Sequence, residues 1–449
     1  MNAEFSRPWN PGAFCRFVGP SVAGIVTICL YMIVDGIFIA RYGGPLAMAA
    51  ANIIMPLFNF SFSLGIMTAA GGFAIVGIEQ GRGLQEQANG HFTLILVFLG
   101  GFTCLFWGIV AVAGLGPLCE ALGATPALLP LCEIYLKYFI WGLGLVLFQV
   151  AFEYAVRLDG RPAWAFYSSV AGGLTNMGLD YLLMARLDMG IAGAGIASSA
   201  GVVVAACVGG FYFLFHARHL RPGPLLLDVK FLFRTVVNGS SEMITELSGG
   251  VKTLVFNMVI LKYAGEPGVA AMAMVLYLFY AFSAVHMGLS MGVSPVISYN
   301  LGRGNFTKIR ELAGYSLVAG GLTCLVSFGM ARFLSRPILT IFTGGHGPVM
   351  ALGLAGLGIF SFTFLCNWIN ILASGFFTAV NNGKISALIS ILDTFVLTLG
   401  FVWFLPPLMG MTGIWLAVPL AEAVAAVVSL ICLYAFRRRY LWPASSAVN

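Results

Sequence analysis

The chain has 449 residues and a net charge of +6, and 59% of its residues are hydrophobic while only 9% are charged. Soluble domains carry about 25% charged residues, so this composition excludes a surface that faces water on all sides. In lipid every backbone polar group must be satisfied internally, which leaves helices or a closed barrel as spanning elements. Apolar runs such as 94–115 and 387–405 fit helices of about 20 residues. We therefore predict an all-α integral membrane protein.

The apolar runs predict twelve transmembrane helices separated by short polar connectors. The predicted spans are residues 14–40, 46–78, 91–115, 127–156, 162–185, 189–215, 236–262, 267–298, 311–334, 347–380, 385–405 and 411–436. Residues 216–235 form the longest hydrophilic stretch, so we predict an N-terminal lobe at 1–215, a cytoplasmic linker at 216–235 and a C-terminal lobe at 236–449. The end of that linker, 225–234, is predicted to form a short amphipathic helix on the membrane surface.

The placement of Lys and Arg predicts the orientation of the chain in the membrane. If the N-terminus is cytoplasmic, sixteen of these residues fall on the cytoplasmic side and six on the outside. Loops rich in Lys and Arg stay in the cytoplasm. We therefore predict that both termini are cytoplasmic, which also requires an even number of spans.

Four short motifs recur in the same order in the two halves, at a nearly constant offset. Six spans separate the equivalent positions, which predicts parallel repeats of the kind found in transporters. The paired motifs are Arg41-Tyr42-Gly43-Gly44 with Lys262-Tyr263-Ala264-Gly265, Gly81-Arg82-Gly83 with Gly302-Arg303-Gly304, Gly160-Arg161 with Gly383-Lys384, and Met189-Gly190 with Met409-Gly410.

Acidic residues inside spans are expensive and are read as functional by default. Asp35 and Asp180 both lie about 7 Å below the outer boundary at 1.5 Å per residue. Asn176 is one turn deeper than Asp180 on the same face, and Ser198 reaches a similar level. This set can hold a proton, because two carboxylates in an apolar site cannot easily both ionise, or a hard cation such as Na⁺. The alternative is that Asp35 and Asp180 pair with the arginines at the ends of their spans, Arg41 and Arg186.

The C-terminal half offers weaker candidates. Glu242 and Glu246 share one helix face and either contact a cationic substrate or, for Glu246, pair with Lys252. Met258 and Met287 belong to a Met-rich region that suits the binding of many shapes or ordinary packing. Asp393 is a weaker acidic candidate, and Glu153 and Glu422 are interpreted as helix-packing or near-interface groups. Asp35 aligns with Phe256, and Asp180 has no acidic match near 403, so only the N-terminal half is expected to carry a cation site.

Several motifs resemble those of the multidrug and toxic compound extrusion (MATE) family, bacterial branch. They are Pro20 with Leu30-Tyr31-Met32-Ile33-Val34-Asp35-Gly36, Asn52-Ile53-Ile54-Met55-Pro56, Gly81-Arg82-Gly83, Asn300-Leu301-Gly302-Arg303-Gly304-Asn305, Asn176 with Asp180, and Gly190 with Gly193-Ala194-Gly195-Ile196-Ala197. The resemblance covers about residues 13–436. It implies two six-helix lobes around a central cavity and exchange of a drug for H⁺ or Na⁺ by rocking between two states.

The resemblance also implies roles for individual residues. The cation-coupling site comprises Asp35, Asn176, Asp180 and Ser198, with Na⁺ held at the first three if Na⁺ is the coupling ion. Pro20 marks a kink in the first helix. The candidates for the substrate cavity are Tyr31, Glu242, Glu246, Met258 and Met287.

These expectations describe an antiporter that exports amphipathic, cationic drugs or organic compounds by rocker-switch alternating access. The alternative is a lipid-linked glycan or lipid flippase of the same superfamily, although such proteins need a basic cavity. We expect no enzymatic activity, no cofactor besides the coupling ion and no firm metal site. The expected partners are small-molecule substrates and the lipid bilayer, with no nucleic acid, and the expected form is a monomer in the bacterial cytoplasmic (inner) membrane.

Overall fold

The computed structural model describes residue 5, residues 8–343 and residues 346–443, with side chains left out for 341–343. Every regular element in these residues is helical. The helices are, in order, α1 Pro11–Phe38, α2 Gly44–Gly81, α3 Gln85–Ala113, α4 Leu115–Ala121, α5 Leu129–Leu158, α6 Pro162–Leu179, α7 Gly190–Phe215, α8 Val229–Gly302, α9 Phe306–Phe333, α10 Ser335–Thr343, α11 Pro348–Phe360, α12 Phe364–Ala379, α13 Gly383–Ile391, α14 Leu399–Phe404, α15 Pro406–Met409 and α16 Met411–Tyr440.

The described residues contain nine helical stretches that are long and apolar enough to cross a membrane. Two of these stretches, Pro11–Gly81 and Val229–Gly302, have 71 and 74 residues. At 1.5 Å per residue each is more than about 100 Å long, so each must cross twice. With α6 and its extension to Arg186 as a further span, the helices account for the twelve predicted crossings and confirm the all-α membrane fold.

Helix α8 contains the seventh and eighth predicted spans, which meet at one irregular residue. Gly265 has a φ of 61° and a ψ of −159°, a conformation that glycine adopts without a steric penalty. Pro267 follows it and cannot donate a backbone hydrogen bond. We call the part before Gly265 the first arm of α8 and the part after it the second arm.

Both described ends of the chain lie at one end of the bundle, which we call the terminal end. The backbone carbonyl of Phe5 accepts a hydrogen bond from Asn300 near the end of α8. The ring of Trp442 lies 5.7 Å from the guanidinium of Arg310 at the start of α9. Both contacts adjoin the short loop between α8 and α9.

At the terminal end, glycines bring the two halves of the chain into direct backbone contact. A Cβ on Gly239, in the first arm of α8, would meet the carbonyl oxygen of Met67 in α2. A Cβ on Gly81 would meet the carbonyl oxygen of Tyr299 and the Cα of Gly302. Small residues allow membrane helices to approach this closely. The repeated Gly-Arg-Gly motifs thus pack against each other and hold the halves together here.

The linker between the halves is tied to the N-terminal half. Asp159, in the loop between α5 and α6, accepts hydrogen bonds from the hydroxyl of Tyr212 at 2.5 Å and from the backbone N–H groups of Arg218, His219 and Leu220 at 2.7–2.8 Å. Burial raises the pKa of the Asp159 carboxyl, and the hydrogen bonds from Tyr212, Leu220 and His219 oppose that shift. This carboxylate therefore fixes the path of the chain as it leaves α7.

The predicted surface helix at 225–234 is wrong. Residues 225–227 are not helical, and Val229 begins α8 directly, inside the segment assigned to the linker. The reason is the cap: the carboxylate of Asp228 accepts a hydrogen bond from the backbone N–H of Phe231 at 3.0 Å, as N-cap residues do. His91 reinforces this start, because its ring stacks on Phe231 at 3.9 Å.

Candidate functional site

The four residues predicted for the cation site lie together in the N-terminal half. Asp35 is near the end of α1, Asn176 and Asp180 are at the end of α6, and Ser198 is on α7. Asn176 Nδ2 and Ser198 Oγ donate to Asp35 Oδ1 at 3.5 and 3.4 Å. Asp35 and Asp180 are within hydrogen-bonding reach of each other. The helix widens into a π-helical segment at Asp180–Arg186, and such widened turns are frequent at functional sites.

Asp180 lacks the donors that a buried carboxylate normally has. Its side chain is 0% exposed, and neither of its oxygens has a hydrogen-bond donor among the described residues. The Oδ1 atom of Asn176 also has no donor there. Leaving buried acceptors unsatisfied is costly, and more so when they are charged. The arrangement therefore fits a proton shared between the two acids, or a cation held by their oxygens.

The alternative pairing with arginines at the helix ends does not occur. Within residues 8–343 and 346–443, neither Asp35 nor Asp180 forms an ion pair. Arg186 Nε instead donates to the hydroxyl of Tyr181 at 2.8 Å. The guanidinium of Arg41 lies 5.7 Å from the ring of Tyr42. These two arginines thus lie against tyrosines, and no cationic side chain in the described part of the chain forms an ion pair with Asp35 or Asp180.

A cavity of about 50 Å³ adjoins Asp35, one member of the acid pair. It has room for several water molecules, each of which needs about 10–15 Å³ on such a measure. Its polar lining residues are Tyr31, Asp35, Tyr135, Gln149, Ser169, Asn176 and Ser198. Tyr31, predicted for the substrate cavity, thus lies beside the cation site. Sequence reasoning missed Tyr135, Gln149 and Ser169. Gln149 could have been found from the sequence, because its amide lies within the apolar run of α5.

Pro20 lies inside α1, which continues through it as a helix. Its ring removes one backbone hydrogen bond from the first half of that helix. The neighbouring Ser21 side chain would be 3.3 Å from a Cβ on Gly292 of the α8 second arm. The kink assigned to Pro20 remains a prediction, located where α1 contacts the other half.

Glu242 and Glu246 face the N-terminal half from the first arm of α8. Glu242 Oε1 accepts a hydrogen bond from Thr378 at 3.4 Å. Glu246 is within electrostatic range of Cys29 on α1 and of Tyr154 on α5. These two acids therefore lie at the boundary between the halves, where a substrate that passes between them would meet negative charge.

The two methionines predicted with these acids are elsewhere. Met258 is 64% exposed and lies twelve residues beyond Glu246, about 18 Å along a helix. It borders a surface depression with Asn257 and Leu261. Met287 is half-buried in the second arm of α8, next to Gly288, whose Cα packs close to Val22 of α1. The structure thus separates Met258 from the acids and places Met287 near the boundary.

The predicted pairing of Glu246 with Lys252 is not formed among the described residues. Lys252 is instead within electrostatic range of Asp393 and Glu422. The Glu422 carboxylate is 1% exposed and accepts hydrogen bonds from the amides of Asn367 and Asn370 at 2.9 and 2.7 Å. This second acid-containing cluster was not expected from the sequence, and it supplies donors that the Asp35–Asp180 pair lacks.

The chain matches a family model and curated relatives over most of its length. The family model described as MatE matches residues 20–182 and 243–404 of the chain. Multidrug export protein MepA of Staphylococcus saprophyticus subsp. saprophyticus is 23% identical over 437 residues, which cover 94% of this chain and 93% of that protein. The MepA of Staphylococcus haemolyticus is 21% identical over 440 residues, with 95% and 94% covered.

Solved structures share the fold over the whole chain. The outward-facing conformation of a multidrug resistance MATE family transporter has a TM-score of 0.90 at 19% identity, with 98% of this chain and 99% of that chain covered. A MOP superfamily transporter from Pyrococcus furiosus Vc1 (DSM3638) has a TM-score of 0.87 at 19% identity, with 99% of each chain covered. At these identities the likeness concerns the fold.

Proposed function

Because this chain belongs to the MatE family of membrane transporters, we propose that it exports amphipathic, cationic drugs or organic compounds in exchange for H⁺ or Na⁺. The chain is a multi-pass membrane transporter rather than an enzyme. We place it in the bacterial cytoplasmic (inner) membrane with both termini inside. The relatives named as multidrug export proteins support drugs as the substrate class, and Glu242 and Glu246 offer the negative charge that a cationic drug needs.

Cation coupling is supported by the environment of Asp180. Its carboxylate lies next to that of Asp35 and has no hydrogen-bond donor among the described residues. A proton or Na⁺ bound here would remove the repulsion between the acids. Loss of that cation would restore the repulsion and alter the packing of α1 against α6 and α7. A cation that enters down the membrane potential supplies about 2.3 kcal/mol per 100 mV, in addition to its concentration gradient. That free energy is available to drive a drug outward.

We propose that the two halves rock about their common boundary. The glycine contacts at Gly81 and Gly239 hold them together at the terminal end. These contacts support a state that is closed at the terminal end. The reverse state would require the glycine contacts to separate.

A flippase for lipid-linked glycans is the less favoured function. A pyrophosphate group needs cations, and the residues that line the cavity beside Asp35 include neither Lys nor Arg. Lys252, which lies in the other half, is within range of two acids. The charge distribution of the described residues therefore favours a cationic substrate over an anionic one.

Transport by the purified protein in liposomes tests this proposal. We expect a cationic dye to move outward when an H⁺ or a Na⁺ gradient is imposed, and Asp180→Asn or Asp35→Asn to lower that rate at least about tenfold, the loss that follows removal of a proton-carrying group. The matched control is Asp188→Asn, because Asp188 is exposed at the end of the same segment and has a φ of 51°, which Asn tolerates well. Unchanged transport in both test variants would refute the assignment of the site.

A further inference from the structure

We propose that the proton released by the Asp35–Asp180 pair reaches the terminal end through the N-terminal half itself, along a buried polar chain that contains Glu153. This inference rests on the proposed function and commits to H⁺ as the coupling ion. It gives Glu153, which the sequence suggested only as a helix-packing or near-interface group, the role of a proton carrier between the acid pair and the terminal end.

The first part of the chain is the cavity beside the acid pair. Its lining contains Asp35 and Asn176 at one end and Gln149 and Ser169 at the other. Ser169 lies seven residues before Asn176 on α6, about 10 Å nearer the terminal end. The cavity volume of about 50 Å³ allows several water molecules. Water can therefore connect the acid pair to the Ser169 hydroxyl without a large movement of any helix.

Glu153 is the next group along the chain. Its carboxylate is within hydrogen-bonding distance of both cavity residues: Ser169 Oγ lies 3.3 Å from Glu153 Oε1 and 3.1 Å from the carbonyl oxygen of Ala165, between which its one hydrogen can alternate, and Gln149 Nε2 donates to the same Glu153 oxygen at 3.4 Å. Glu153 is 4% exposed. Tyr31, which also lines the cavity, is within electrostatic range of both Glu153 and Asp35. A buried acid thus borders the cavity at the end opposite the acid pair.

Arg157 completes the chain at the last turn of α5. Residues 149, 153 and 157 are four apart, so they lie above one another on one helix face. Arg157 Nη2 donates to Glu153 Oε2 at 3.2 Å and Nε donates to Ser21 Oγ at 3.3 Å. The Nη1 atom has no partner among the described residues although the side chain is 1% exposed. Buried donors normally find a partner, often water.

The proton movements balance at each step. A proton leaves the acid pair for a cavity water, passes through the Ser169 hydroxyl and forms an O–H bond on Glu153. Each transfer breaks one O–H bond and forms one, and water is the only other participant. Glu153 then gives its proton to a water held by Arg157 Nη1, the N–H group that has no partner among the described residues. Glu153 thereby returns to its starting state.

The competing explanation is a structural ion pair that only fixes α5 against α1. Two transport assays on the reconstituted protein separate the two roles. Net exchange of drug for H⁺ requires proton release in every cycle, whereas exchange of labelled drug for unlabelled drug does not. We expect Glu153→Gln to slow net antiport at least about tenfold, the range for loss of a proton-transfer group, and to leave drug–drug exchange close to the unmodified rate. Equal loss of both activities would overturn the relay.

The double variant Glu153→Gln/Arg157→Gln provides a second way to separate a structural ion pair from a proton relay. It also keeps the proposal testable if the single variant does not fold. Replacing both members of a buried pair is far milder than removing one. A structural pair therefore predicts that the double variant recovers net antiport, and the relay predicts that it does not. Glu133→Gln is the matched control, because Glu133 lies at the other end of α5, and it should transport normally.

The outcomes also distinguish this inference from the proposed function. If the unmodified protein responds to an H⁺ gradient and Glu153→Gln transports at the same net rate, the relay alone is wrong. If the unmodified protein responds to Na⁺ only, the relay is wrong and cation coupling stands. If it responds to neither gradient, both proposals fail.

Discussion

Each half of the molecule buries carboxylates within its helices, but the two halves treat them differently. In the C-terminal half, Glu422 receives two amide hydrogen bonds, from Asn367 and Asn370, and Lys252 is within electrostatic range. In the N-terminal half, Asp180 receives no hydrogen bond from the described residues and its neighbour is another acid, Asp35. Burial alone therefore does not identify a coupling site, and the supply of donors is what separates Glu422 from Asp180.

A carboxylate of the first kind accepts hydrogen bonds from nearby donors and stabilises its helices in one charge state. A carboxylate of the second kind has no donors, and its packing changes when a cation binds. Glu422 is of the first kind, with Ser429 and Ser283 further donating to the oxygens of Asn370 and Asn367 at 2.9 and 3.1 Å, whereas Asp393 Oδ1 in the same cluster has no hydrogen-bond partner among the described residues. The Asp35–Asp180 pair has the pattern of the second kind. We therefore expect stability and transport to respond in opposite ways to substitutions at the two places.

The largest change in stability is expected for Glu422→Gln. The new amide places an N–H₂ group against the donating amides of Asn367 and Asn370, so at least one charged hydrogen bond is lost. Such bonds contribute about 1.5–3 kcal/mol each, and the melting temperature in detergent should fall accordingly. Transport that remains driven by a cation gradient would agree with a structural role. A Glu422→Gln variant that is stable but has lost cation coupling would show that Glu422 takes part in coupling.

A smaller change of opposite sign is expected for Asp180→Asn. The substitution removes a buried charge that has no donor, and it gives Asp35 an amide donor. We expect the melting temperature at neutral pH to rise, by the equivalent of about 1–2 kcal/mol, because one unmet hydrogen bond is worth about that much. Residues that serve a protein's function often lower the stability of its folded state in this way. Thermal unfolding beside Asp188→Asn provides the check, and a clear loss of stability would show that Asp180 is already satisfied.

The smallest effect is expected for Ser198→Ala. The Ser198 hydroxyl is 3.4 Å from Asp35 Oδ1, a long and therefore weak hydrogen bond. Its loss should cost less than about 1 kcal/mol, which corresponds to a decrease of a few-fold in the apparent affinity for the coupling ion. The dependence of dye transport on H⁺ or Na⁺ concentration measures this affinity. Complete loss of coupling would mean that Ser198 is a primary ligand.

The sequence predicted much of the fold and of the N-terminal site. Hydropathy located the helices because lipid demands long apolar runs, and the helical rise placed Asp35, Asn176, Asp180 and Ser198 at similar depth. Depth does not determine which faces meet. Lys252 was therefore paired with Glu246 on its own helix, while in the fold it is within range of Glu422 on α16 and of Asp393, which lies in the π-helical segment Leu392–Thr398 that follows α13.

Contacts between distant segments were also beyond the sequence. The repeated Gly-Arg-Gly motifs were recognised as a sign of duplication, but nothing in the pattern indicated that Gly81 and Gly302 touch. Similarly, the basic and apolar residues near 230 suggested a separate surface helix. The cap by Asp228 is a local signal for a helix start that the sequence reading overlooked, and the stacking of His91 on Phe231 is a tertiary contact; together they continue that segment into α8.

We propose that the N-terminal acid pair, and not the C-terminal cluster, couples the cation to the drug. The H⁺ and Na⁺ flux that an imposed drug gradient drives into or out of liposomes tests this directly, with the unmodified protein, Asp180→Asn and Glu422→Gln compared. We expect cation flux in the unmodified protein and in Glu422→Gln, and none in Asp180→Asn. Cation flux that persists in Asp180→Asn, or that disappears in a folded Glu422→Gln, would show that the acid pair is not the coupling site.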